Sequence, residues 1–180
     1  MELNRLHRKL VQLTAASALL FVCFTTFLAA PARAAGVPES EQLAYRPAIS
    51  KFMGEFKAAV LANQRQKGPR GPAEMVAGWS RLSDALSPLQ THALPRAMRN
   101  EFFTLQSALN EQIAIMRSVP ADELEVLVYW LNSADKKEFD FSGSKLDADV
   151  RARCQRTFLQ MNQALAEIMA ISREYGVDPG

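Results

Sequence analysis

The sequence predicts an all-α protein, an antiparallel helical bundle of four to five helices after an N-terminal signal segment. Three observations carry that prediction. Apolar side chains recur at three- and four-residue steps through most of residues 47–175, the spacing that gathers them on one face of a helix. No window alternates apolar and polar residues long enough to make a strand. The breaks between periodic segments are a few residues long, which suits antiparallel neighbours in a bundle. With 180 residues, 48% hydrophobic and 22% charged, the composition is that of a globular chain. Residues 35–180 are about the length that closes one core, so a single helical-bundle domain is expected there.

Taken in order, residues 35–44 hold Gly36, Pro38 and few apolar anchors, and read as a short tail. From Pro47 onward, Ile49, Phe52, Met53, Phe56, Val60 and Leu61 make a first stripe. Pro47 suits a first helical turn, where its missing N–H costs nothing. The helix should stop near Lys67, because Gly68-Pro69-Arg70-Gly71-Pro72 cannot continue it. A second, shorter helix follows from about Ala73, with Met75, Val76, Trp79, Leu82 and Leu86 on its stripe, and ends at Ser87-Pro88. The third begins near Pro95 and carries Met98, Phe102, Leu105, Leu109, Ile113 and Met116, the strongest periodicity in the chain.

Ser118 before Pro120, with Asp122 and Glu123 following, marks the start of a fourth helix, since acids in a first turn complement its exposed N–H groups. Its stripe is Leu124, Leu127, Val128 and Leu131. The charged stretch Asp135 to Asp140 then leads into a Ser142-Gly143-Ser144 loop. The last helix spans about Asp147 to Tyr175 along Val150, Cys154, Phe158, Met161, Leu165, Ile168 and Ile171, with Gly176 placed to stop it.

The leader has the three-part layout of a secretory signal: Arg5, Arg8 and Lys9, an uncharged run from Leu10 to Ala32, and small residues around Pro31, Ala32, Arg33 and Ala34. The rival reading is an uncleaved anchor through residues 10–32, which reach the length of a spanning helix, although Gln12, Thr14, Ser17, Thr25 and Thr26 dilute the run. A lipoprotein site at Cys23 is disfavoured by bulky Val22 just before it. Residues 1–34 hold four of the 21 basic side chains and one of the 19 acidic ones, which leaves 17 basic and 18 acidic groups and a net charge of −1 for the rest. A nucleic-acid partner therefore loses its electrostatic footprint. Only Cys154 survives cleavage, so no internal disulfide is expected. Its ordinary reading is a small buried residue, and its sharper one a reactive thiol or a covalent dimer.

Histidine chemistry has little to work with, because the mature chain has only His92, in an interhelix segment. A Glu-x-x-His pair and a Cys-x-x-Cys-His motif are absent, as is a Gly-x-Ser-x-Gly elbow, and no cofactor is expected. Glu138, Asp140, Ser142, Gly143 and Asp149 fall at positions 1, 3, 5, 6 and 12 of a twelve-residue calcium loop. The chemistry is imperfect, since the first position wants Asp, the last a bidentate Glu, and Lys136, Lys137 and Lys145 oppose a cation. An ordinary polar turn, with Asp147 capping the last helix, is the alternative. Tyr129 and Trp130 on the fourth helix, with Phe139 and Phe141 beside the loop, are too many rings for one narrow stripe. They either pack between helices or form a partner-recognition patch.

These observations favour an exported binding or accessory protein of the bacterial envelope that acts by protein contact, not an enzyme. The partner expected is another envelope protein, with membrane contact only through the leader if it is uncleaved. The alternative is a helical ligand-binding protein or enzyme holding an anion with basic groups such as Arg46, Lys57, Arg99 or Arg153. A pocket demands convergent charges in one concavity, and an adaptor an exposed apolar or aromatic patch. For the leader the expected outcome is cleavage after Ala34: intact mass spectrometry of the exported protein should place Ala35 first, and any other first residue contradicts the Ala-x-Ala site.

Overall fold

The computed structural model describes residues 36–64, 71–132 and 145–179, and within them the regular structure is entirely helical. Five helices follow one another: α1 (Glu39–Gln64), α2 (Pro72–Leu86), α3 (Arg96–Ser118), α4 (Ala121–Asn132) and α5 (Ala148–Glu174). The leader lies outside the described residues, as do residues 65–70 and 133–144.

α3 is the hub. Its whole predicted stripe, Met98, Phe102, Leu105, Leu109, Ile113 and Met116, is buried. Ala108, Gln112 and Ile115 are buried as well, so α3 is enclosed over more than one narrow face. It packs most extensively on α5 and next on α2, while α1 lies on α2 and touches α5. Phe102 also ties α3 to α1: its ring stands edge-on to Phe52, centroids 5.1 Å apart at 89°, and near Phe56 at 6.5 Å. Such pairs add about 0.5–1.5 kcal/mol beyond the burial of their area. Polar ties fix the α2–α3 pair as antiparallel, since Ser83 Oγ donates to Asn110 Oδ1 at 2.6 Å and Arg117 Nη2 donates to Ser80 Oγ at 2.9 Å.

Two starts and one stripe differ from the sequence reading. α1 begins eight residues before Pro47, so the supposed tail is mostly helix. The N–H that proline lacks is the one that would reach the Leu43 carbonyl, a loss costing about 3 kcal/mol in an unsupported helix. Here the early turns have support that a periodicity count misses. The Tyr45 ring packs edge-on to Tyr175 at 5.9 Å, the Tyr175 hydroxyl donates to Glu41 Oε1 at 2.9 Å, and Gln42 Nε2 donates to the Val37 carbonyl at 2.8 Å. Ser118 does not open α4. Its hydroxyl donates back to the Ile115 carbonyl at 2.7 Å and so finishes α3, while the Pro120 carbonyl receives the first N–H groups of α4 from Glu123 and Leu124. Leu61 is 39% exposed, because Val60 already completes the buried stripe and the next residue lies 100° further round.

The ends of α5 match expectation. The Asp147 carboxylate accepts the Asp149 N–H at 2.7 Å as an N-cap. Upstream, the buried carboxylate of Glu123 accepts the Lys145 N–H at 2.8 Å and anchors the strand of chain that enters α5. Phe102→Ala should cost about 3–5 kcal/mol, because it empties a fully enclosed site between two helices; chemical denaturation followed by circular dichroism measures it, and a loss under 1 kcal/mol would contradict the central position of that ring.

Candidate functional site

α5 ends in a left-handed turn that throws the following chain back across α1. Gly176 adopts φ +69, its N–H reaches the Arg173 carbonyl at 2.9 Å, and the Val177 N–H reaches the Ser172 carbonyl at 3.0 Å. These two bonds define a Schellman cap. Glycine is required by that φ and not by space, since a Cβ there would stand 3.8 Å from Arg46 Cζ, an ordinary contact. Ser172, itself fully buried, adds a third tie by donating its hydroxyl to the Val177 carbonyl at 3.0 Å. The sequence marks Gly176 only as a stop, and what the chain does after it had no signal beyond the apolar residue that commonly follows such a glycine.

Between this returning chain and α1 lies an open groove of about 350 Å³. Its α1 wall is Arg46, Ser50, Gly54 and Lys57, which recur at four-, four- and three-residue steps and so share one exposed face. Met53, buried, lies at the base, and Val177, Asp178 and Pro179 form the opposite wall. Among the described residues neither Arg46 nor Lys57 has an ion-pair partner, although Asp178 lines the same space. Among the described residues that line the groove, two cations face one carboxylate, a positive excess.

The groove's geometry depends on the junction of α1 with α5. Tyr175 is 5% exposed, and its hydroxyl group is pushed up from 10.0 to about 12 by burial first, then by its hydrogen bond to Glu41 and the charge of that carboxylate.

The other basic candidates go elsewhere. Arg153 stands 3.7 Å from Glu111 on the α3–α5 face, both half exposed, and Arg99 sits in the first turn of α3, away from the groove. Of the calcium-loop residues, Glu138, Asp140 and Ser142 lie outside the described residues, and Asp149 is in the first turn of α5 under its Asp147 cap. Of the aromatic set, Trp130 is 4% exposed and belongs to the core; Phe139 and Phe141 lie outside the described residues, and Tyr129 is placed only as a member of α4. The large apolar side chains that do reach solvent, Leu43 and Leu61, Phe103 and Leu159, are spread over α1, α3 and α5. Cys154 is wholly buried, and its sulfur accepts a hydrogen bond from the Gln112 amide, so pairing with a second chain would require the bundle to open.

Because the Tyr175 hydroxyl is raised in the folded state, its contribution to stability is complete below pH 10 and disappears as the pH climbs through about 12. Thermal unfolding should show a fall in midpoint across that window that Tyr175→Phe reduces, and tyrosinate absorbance should show the corresponding late-titrating group. The chain matches no protein-family model, no curated protein and no solved structure.

Proposed function

We propose that this chain works by contact, as an exported binding or accessory protein of the bacterial envelope, and that the groove between α1 and the turn after α5 grips an anionic group of its partner. The observation that carries the reading is the pair Arg46 and Lys57, both exposed, facing one concavity, and without an ion-pair partner among the described residues. Cations in that state attract an anion without first having to release an internal one.

Magnitudes favour holding over catalysis. Exposed ion pairs contribute about 0.2–1 kcal/mol each, and salt screens them further. Catalysis asks for about 8 kcal/mol or more of transition-state stabilisation from donors fixed in a water-poor site. An open groove with flexible cations supplies the first and not the second. The second reading, a helical ligand-binding protein or enzyme with an anion pocket, draws on the same two side chains.

Export rests on the leader, which lies outside the described residues; no described helix is long and apolar enough to cross a membrane. Titrating the protein with a short oligoglutamate at low ionic strength should shift backbone amide resonances of residues 46–57 and 176–178, and added salt should reverse the shifts. Shifts confined to another surface, or none, would reject the groove as the contact site.

A further inference from the structure

Arg46 and Lys57 are eleven residues apart on one helix, which puts their Cα atoms about 16 Å from each other along the axis. A single phosphate or carboxylate is best held by cations that converge on it, whereas two cations three turns apart suit two acids separated by a similar length. An extended chain advances about 3.3 Å per residue, so it would present acids at that separation when they are five positions apart. Between the cations the groove is apolar, with buried Met53 at its base and buried Val177 in the opposite wall.

On that basis, and resting on the contact reading above, we propose that the groove binds an extended segment of a partner protein in which two acidic side chains, five positions apart, flank an apolar one. Charge complementarity sets the ends: one acid meets the Arg46 guanidinium beside Gly176, the other the Lys57 ammonium at the far end of the groove. The apolar residue settles over Met53 and Val177. Arg46 is the more specific anchor, since its planar fork takes a carboxylate in two hydrogen bonds, while Lys57 acts as a point charge.

The test uses labelled eight-residue peptides of equal charge with two glutamates two, five or seven positions apart and a leucine between them, together with a version of the five-apart peptide that replaces the leucine by glutamate. Fluorescence anisotropy with the mature protein should show the five-apart peptide binding about five-fold more tightly than the other spacings. The extra glutamate should weaken binding despite its added negative charge, because it replaces the apolar side chain that covers Met53. Arg46→Glu and Lys57→Glu should each abolish the spacing preference, with circular dichroism confirming that both variants keep their helix content. Equal binding at all spacings, with the groove amides still moving, would overturn the segment proposal and leave anion binding by the groove intact. Failure of every peptide and of oligoglutamate to move those amides would overturn both. Self-association lost in Arg46→Glu would also overturn the proposal, since the occupant would then be a second copy of this chain.

Discussion

Gln112 governs how α3 and α5, the most extensively packed pair of the bundle, meet. It is completely enclosed between α3 and α5, its amide donating to Cys154 Sγ and its carbonyl receiving the Thr157 hydroxyl. The single hydroxyl proton of Thr157 has the backbone carbonyls of Arg153 and Cys154 as alternative acceptors to the Gln112 carbonyl, so the cluster is held within the α3–α5 contact. A polar group in that position permits one axial alignment and penalises the rest, because sliding either helix would strand an amide in apolar surroundings at about 1–3 kcal/mol. Apolar stripes alone are more forgiving, since leucine packs acceptably at several offsets.

That alignment reaches the groove through the length of α5. From Thr157 to its end at Glu174 the helix advances about 26 Å, and a slip of one turn would carry that end about 5.4 Å along its axis. The left-handed turn would then no longer sit over Arg46, and Val177 would no longer back onto Met53. The edge-on contact of Tyr45 with Tyr175 and the bond from Tyr175 to Glu41 secure the same junction at its far end. A buried side chain in the middle of the protein thus sets where the chain after α5 meets α1 at the rim.

Much of the fold could be read from the residues, because helix periodicity is a local property. α2, α3 and α5 begin and end within a residue or two of where proline, glycine and capping aspartate place them. The misreadings share a cause. The start of α1 is stabilised by Tyr175, far away in sequence, and the role of Ser118 depends on which of two helices its hydroxyl serves. Neither fact is encoded in spacing. The site is legible only in part: Arg46, Lys57, Arg99 and Arg153 are equivalent basic candidates in the sequence, with Arg46 just ahead of the expected helix start at Pro47, and only the packing of α1 against the end of α5 separates the first two from the others. The wall made by Val177, Asp178 and Pro179 exists only once α5 has a place to end.

The proline within α1 carries a mechanical consequence. The hydrogen-bond ladder has a gap at the Leu43 carbonyl, so the two turns ahead of Pro47 are coupled to the remainder of α1 less firmly than any other part of that helix. Their hold on the protein comes mainly from Glu41 and Tyr45, both of which engage Tyr175 at the end of α5. Residues 39–46 therefore keep their place through a side chain at the end of α5 as much as through the helix they begin, and Arg46 is the last residue ahead of the gap.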